Sequence, residues 1–166
     1  RHDDGRRRPS ATAGRVTRLL VTGADGFVGQ HLVRAARAAG RSVIASILPG
    51  AVAPTEWDAS DAGPAVDVVH ADFALAADMR QLVEQRPDEI VHLAAIASGA
   101  AAQRDPLAAM QINGIGPVWL LAALAEAAEA LGRPVGAHLK LDTGMHRVGL
   151  WPPAEAPAFA TKILGS

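Results

Sequence analysis

Three glycines in the stretch VTGADGFVG constrain the fold of this chain more than any other feature. Residues 15–23 (RVTRLLVTG) form a short apolar run of the kind found in buried parallel strands, and residues 26–40 repeat apolar side chains at helical spacing. In such a strand–turn–helix unit, one glycine permits a tight turn, a second lets the backbone approach a diphosphate, and a third lets the helix lie close to the strand. The spacing assigns these roles in order to Gly23, Gly26 and Gly29.

Strands and helices continue to alternate after this turn. Further strands are predicted at residues 42–47, 66–72 and 88–95, helices at residues 74–86 and 106–131, and loops at residues 48–65 and 98–106. This order predicts an α/β fold with a Rossmann-like, doubly wound parallel sheet. The amides and the positive end of the first helix would then stabilise a bound diphosphate, and a glycine-rich turn without a ligand is the alternative.

Composition narrows the class of protein. The 166 residues carry a formal net charge of −1, which gives no general attraction to nucleic acid or to an anionic membrane. No uninterrupted apolar run reaches the roughly 18 residues of a membrane span. The chain has no cysteine, so disulfides and zinc–thiolate sites are excluded, no metal site is expected, and a cytoplasmic protein is the default expectation. Residues 1–15 are rich in arginine and are predicted to be a disordered leader, with a basic arm for a polyanion as the alternative.

Four landmarks in order resemble the extended short-chain dehydrogenase/reductase family over residues 19–126. They are the glycine turn, Asp72 after the third strand, the segment HLAAIAS at residues 92–98, and the segment NGIGPVWLL from Asn113. The family includes nucleotide-sugar epimerases, dehydratases and reductases. The resemblance therefore implies that NAD or NADP binds, and that the parent reaction transfers a hydride on a nucleotide-linked sugar. It leaves the oligomeric state open.

The resemblance also implies which residues contact the cofactor. Asp72 matches the acid that contacts adenine, residues 92–98 match the segment beneath the nicotinamide ribose, and Asn113 matches an asparagine that supports the active-site strand. The complete set of implied cofactor contacts is Gly23, Gly26, Phe27, Val28, Gly29, Asp72, Phe73, Leu93, Ala94, Ala95 and Asn113.

The end of the second strand bears on the choice between NAD and NADP. A site selective for NAD usually places an acidic residue there to hold the ribose hydroxyls, but the stretch VIASILPG contains none. Ser46 could tolerate a 2′-phosphate, and Arg37 or Arg41 could reach it. The sequence therefore slightly favours NADP.

The catalytic residues that the resemblance implies are missing. Members of the family donate a proton from a tyrosine that lies four residues before a lysine, whereas this sequence has no tyrosine, and its lysines are Lys140 and Lys162. The sequence thus predicts a cofactor-binding domain without catalytic residues. A non-catalytic binding module is the alternative from another functional class.

Residues 132–166 carry a second resemblance. The stretch GRPVGAHLKLDTGMHRVGL is similar to the pyridoxal-phosphate barrel domain of alanine racemases. By that similarity Lys140 corresponds to a lysine that is often carbamylated, and Arg147 to the arginine that binds the carbamate and the cofactor. We therefore expect a composite chain, with a dinucleotide-binding domain at residues 16–131 and a barrel-type βα unit at residues 132–166, packed on the same sheet near its edge with Lys140 accessible. Pyridoxal phosphate itself is not expected to bind, because the Schiff-base lysine of such enzymes lies on a strand that this chain lacks. A racemase fragment whose other parts come from a partner chain is a further alternative for the function.

Overall fold

A computed structural model describes residues 17–58, 63–136, 153–155, 157–158 and 161. Four parallel strands form one sheet, with β1 at Arg18–Thr22, β2 at Ser42–Ile47, β3 at Val66–His70 and β4 at Glu89–His92. Their order in the sheet is β3-β2-β1-β4. The chain therefore moves outward on one side of β1 and then crosses to the other side, as in a doubly wound fold. The predicted α/β, Rossmann-like parallel sheet is confirmed.

Helices connect these strands. Helix α1 spans Phe27–Ala38, α2 spans Ala76–Glu84, α3 spans Gly99–Arg104, α4 spans Pro106–Met110 and α5 spans Gly116–Leu131. Short 3₁₀ turns occur at Thr55–Trp57 and Pro153–Glu155, and a π-helical turn at Gln111–Ile115 joins α4 to α5.

The central strands β1 and β2 are buried on both faces of the sheet, whereas β3 and β4 are largely exposed or half-buried. Successive side chains of a strand point to opposite faces. In β1, Leu19 and Val21 pack with Val33 of α1, whereas Leu20 packs on the opposite face with Leu82 of α2. Leu120 of α5 joins the second cluster. Helix α1 therefore covers one face of the sheet, and α2 and α5 cover the other.

The loop predicted at residues 98–106 is wrong, because residues 99–104 form helix α3. The Ser98 hydroxyl caps this helix by accepting a hydrogen bond from the Ala101 amide (3.3 Å), and the alanines that follow favour helix. Asp105 caps α4 in the same way through the Ala108 amide (2.9 Å), with Pro106 in the first turn. The caps at Ser98 and Asp105 thus allow two short helices to form where a loop was predicted.

The helix predicted at residues 106–131 has the expected bounds, but the π-helical turn interrupts its regular pattern. Pro106–Leu131 is also long and apolar enough to cross a membrane, with a mean hydropathy of 1.5, by length and composition alone. Leu120 and Ala123 of this helix are buried in the core, but only 17% of its most apolar window is buried.

The chain divides into two compact units, residues 1–130 and residues 131–166. In the second unit the structure describes the turn Pro153–Glu155 and a hydrogen bond from the Thr161 hydroxyl to the Pro157 carbonyl (2.9 Å). The predicted leader at residues 1–15, the predicted edge strand, Lys140 and Arg147 lie outside the described residues.

Candidate functional site

The turn between β1 and α1 requires glycine at two positions. Gly23 has a φ of +62°, and a Cβ there would lie 2.8 Å from the Ala94 Cα beyond β4. At Gly29 a Cβ would lie 2.3 Å from the Gly23 carbonyl oxygen. Both distances are too short for any side chain. Gly23 therefore lets the turn contact the end of β4, and Gly29 lets α1 lie against the turn.

Gly26 has a different environment. It is exposed, and a Cβ there would meet only the Gly23 carbonyl oxygen, at 3.2 Å. Gly26 is also the N-cap of α1, and in the described part of the chain no side chain caps this helix. The first amides of α1 therefore face open space, which is the arrangement that an anion needs at a helix start.

Two large apolar side chains flank this open helix start. Phe27 is 83% exposed and Val28 is 60% exposed, although both belong to α1. These two side chains are therefore not packed in the core and can contact a bound molecule.

The carboxyl end of β4 is fastened to β1 by one hydroxyl. Thr22, which is fully buried, accepts hydrogen bonds at Oγ1 from the amides of Leu93 (3.0 Å) and Ala94 (3.2 Å). The same oxygen lies 2.8 Å from Nδ1 of His92. These contacts hold residues 93–94 beside Gly23, while Ala95 is exposed in the segment that follows.

The His92 ring stacks on Phe73, with ring centroids 4.7 Å apart. Partial burial of the imidazole disfavours its charged form and lowers the pKa of His92 below its ordinary value. Phe73 itself is buried, 3% exposed, in the loop after β3. Phe73 therefore belongs to the core beneath the site, and it contacts the site through the His92 ring.

Asp72 lies in the same loop, directly after Ala71 at the end of β3. Its Oδ1 accepts a hydrogen bond from the Ala74 amide (2.8 Å), and its own amide donates to Oδ2 of Asp78 (2.7 Å). These bonds fix the turn and hold the Asp72 carboxylate at the carboxyl edge of the sheet.

Asn113, in the π-helical turn between α4 and α5, is hydrogen-bonded to the loop that follows β4. Its Oδ1 accepts a hydrogen bond from the Ile96 amide (2.8 Å), and its Nδ2 donates to the Ile96 carbonyl (3.0 Å). Asn113 lies within the π-helical turn, and such turns are frequent at functional sites. The paired bonds thereby hold the segment after β4 in place.

Sequence reasoning missed Thr22 and His92. Both were visible as polar residues at the carboxyl ends of β1 and β4, but their contact joins positions 70 residues apart and depends on the pairing of these two strands.

The residues proposed to hold a 2′-phosphate are not available for it, and that expectation is wrong. Arg37 is 3% exposed and donates to the carbonyl oxygens of Glu56 (2.6 Å) and Pro64 (2.8 Å). Arg41 precedes the first residue of β2, at the amino edge of the sheet, where its guanidinium binds Glu89 (2.8 Å).

Ser46 is 2% exposed within β2 and does not reach the surface. The structural basis for favouring NADP is therefore lost.

Residues 19–133, more than half of the chain, match the model of the NAD dependent epimerase/dehydratase family. The chain belongs to this family. No curated protein matches it.

Solved structures match the same region. UDP-glucose 4-epimerase from Thermotoga maritima, solved with UDP-glucose, is 27% identical, with a TM-score of 0.54 over 66% of this chain and 34% of its own. MoeE5 in complex with UDP-glucuronic acid and NAD is 26% identical, with a TM-score of 0.53 over 66% of this chain and 33% of its own. The chain thus spans about a third of the length of these structures.

UDP-glucose-4-epimerase from Stenotrophomonas maltophila, with bound NAD, is similar in fold, with a TM-score of 0.59 at 21% identity over 90% of this chain and 48% of its own. The family match ends at residue 133. These comparisons give no support to the alanine racemase-like segment predicted at residues 132–166, or to a composite chain.

Proposed function

We propose that the chain binds NAD as the dinucleotide-binding part of a nucleotide-sugar epimerase or a related enzyme, with the dinucleotide-binding domain at residues 16–131. One observation carries the proposal: the open start of α1 at Gly26, at the carboxyl edge of a parallel sheet. Ligands of open α/β sheets bind at this edge, where the strand order reverses. Here that point is β1, the strand between β2 and β4.

The diphosphate fits the helix start. The free amides of the first turn and the positive end of the helix dipole both stabilise negative charge. With hydrogen in place of a side chain at Gly26, the phosphate oxygens can approach these amides without obstruction. Phe27 and Val28 then provide apolar contacts beside the diphosphate.

The two ends of the dinucleotide fall on opposite sides of β1. Asp72 follows β3, on one side of the glycine turn, and is suited to the adenine end. Leu93, Ala94 and Ala95 follow β4, on the other side, and are suited to the nicotinamide ribose. The proposed cofactor contacts are Gly23, Gly26, Phe27, Val28, Gly29, Asp72, Phe73, Leu93, Ala94, Ala95 and, through its hold on Ile96, Asn113.

NAD is favoured over NADP because the guanidinium groups of the two arginines near β2 are already bonded within the protein. The guanidinium of Arg37 is buried against loop carbonyls, and that of Arg41 is paired at the opposite edge of the sheet. MoeE5, which is 26% identical, was solved with NAD.

A nucleotide-linked sugar is the substrate class that we propose for the parent reaction. Two similar structures support it, because each was solved with a uridine-diphosphate sugar.

Calorimetric titration of the chain with NAD, NADP and pyridoxal phosphate tests the proposal. We expect NAD to bind, NADP to bind more weakly, and pyridoxal phosphate to give no heat of binding. Absence of NAD binding, or binding of pyridoxal phosphate alone, would contradict the proposal.

A further inference from the structure

The hydroxyl of Thr22 has three partners, and their number fixes the direction of each bond. Its oxygen accepts from the amides of Leu93 (3.0 Å) and Ala94 (3.2 Å), and a hydroxyl oxygen has two lone pairs. The hydroxyl proton is therefore left to donate to Nδ1 of His92, 2.8 Å away.

This direction fixes the protonation state of His92. A ring nitrogen that accepts a hydrogen bond carries no proton, so the ring is neutral with its proton on Nε2. Phe73 covers one ring face, and desolvation lowers the pKa of His92, which also favours the neutral ring.

Protonation of Nδ1 would place two donors against each other. The Thr22 oxygen could accept from the imidazolium only by releasing the Leu93 or the Ala94 amide. The amide of Leu93 has a second acceptor, the Thr22 carbonyl (3.2 Å), whereas the Ala94 amide is held by Oγ1. Ala94 is also the residue against which Gly23 packs. Release of either amide removes one of the two bonds by which Oγ1 holds residues 93–94 beside Gly23, and so loosens the contact that shapes the glycine turn.

The charged groups around His92 are engaged elsewhere. In the loop after β3, the Asp72 carboxylate accepts from Ala74, and in α2 that of Asp78 accepts from Asp72. At the far end of β4, Glu89 pairs with Arg41. At the end of β3, Nε2 of His70 contacts the Ala51 carbonyl. Within the described residues no carboxylate bonds to His92, so no counter-ion stabilises its charged form.

We propose that His92 is a positioning residue whose neutral ring, through Thr22, holds the glycine turn in the geometry that binds the dinucleotide, so that protonation of His92 weakens binding. This inference rests on the proposed function. The affinity for NAD is full at pH values above the ordinary histidine pKa and falls as the pH drops through the lowered pKa of His92. Once the pH is below that pKa, the binding-competent fraction falls about tenfold for each pH unit.

Calorimetric titration with NAD at intervals between about pH 8 and pH 5 measures this fall. The wild-type dissociation constant is expected to rise toward low pH. In His92→Asn the side-chain oxygen can accept from Thr22 but does not titrate, so the dissociation constant is expected to stay constant. His31→Gln is the matched control, because His31 lies in α1 with Nδ1 on the Phe27 carbonyl (2.8 Å), and its removal should leave the fall in place.

Nitrogen-15 NMR of the wild-type imidazoles provides a readout that needs no variant. We expect the His92 proton on Nε2 near neutral pH, and a transition to the charged ring at the pH at which NAD affinity falls. A proton on Nδ1, an affinity independent of pH, or an equal fall in His92→Asn would overturn the inference while the proposed function stands. Absence of NAD binding at every pH would instead overturn the proposed function, and the inference with it.

Discussion

At the scale of single residues, the three glycines of the turn have different constraints. The sequence could predict their roles, because the spacing between a strand and a helix defines which backbone contacts follow. A Cβ at Gly23 or at Gly29 would overlap neighbouring backbone atoms, whereas a Cβ at Gly26 would make one tight contact, 3.2 Å from the Gly23 carbonyl oxygen. The hydrogen bond between Thr22 and His92 could not be predicted, because it depends on strand pairing that the local sequence does not encode.

Gly29→Ala is expected to destabilise the fold by about 1–3 kcal/mol, because its Cβ would overlap the Gly23 carbonyl and push α1 from the sheet. Urea denaturation measures the change in the free energy of unfolding. Gly99→Ala in α3 is the matched control, since nothing lies within 4 Å of its Cβ, and its change should stay within about 0.5 kcal/mol. Equal changes in the two variants would contradict the packing of α1 described above.

At the scale of elements, apolar periodicity predicted the strands and most of the helices. The pattern is readable because a helix buries one of its sides, and a central strand buries both of its faces. It failed at residues 99–104, where helix formation depends on the caps at Ser98 and Asp105. It also failed at Arg37. An arginine near the end of a helix usually points to solvent, and its burial here depends on carbonyls that arrive from the loop 19 to 27 residues later.

Arg37→Met is expected to lower the free energy of unfolding by about 2–3 kcal/mol, because the loop carbonyls lose a charged donor in a buried place. Arg34→Met is the matched control from the same helix. Its side chain is 62% exposed and its guanidinium lies 3.7 Å from the carboxylate of Glu56, so its loss should cost less than about 1 kcal/mol. Chemical denaturation of both variants measures the difference, and a larger loss for Arg34→Met would refute the anchoring role of Arg37.

At the scale of the whole molecule, four landmarks in order predicted the family, and the match over residues 19–133 confirms it. The landmarks agree with one another because they follow strands β1, β3 and β4 of one sheet in the expected order. The racemase resemblance depends on a single motif at residues 132–150, with no second landmark to fix its place in a fold. That difference explains why one resemblance found support and the other did not.

The 166-residue chain is expected to convert no UDP-glucose in the presence of NAD, because its sequence contains no tyrosine to donate or accept the proton. Chromatography of the nucleotide sugars after incubation measures epimerised or oxidised product. Gly26→Val protein, in which the cofactor site is blocked, provides the background. Product formed by the wild-type chain above this background would show that another residue replaces the tyrosine.

The most direct test of the account is NAD titration of three proteins: the wild type, Gly26→Val and Gly136→Val. The Gly26→Val side chain would enter the space that the diphosphate needs, while within the turn its Cβ meets only the Gly23 carbonyl oxygen, at 3.2 Å, which a small shift relieves. Gly136 is exposed with nothing within 4 Å of its Cβ, so its substitution controls for the added valine. We predict that the wild type and Gly136→Val bind NAD with equal affinity, and that Gly26→Val remains folded by circular dichroism but does not bind. Equal NAD affinity in all three proteins would contradict the account, because it would remove the glycine turn from the binding site.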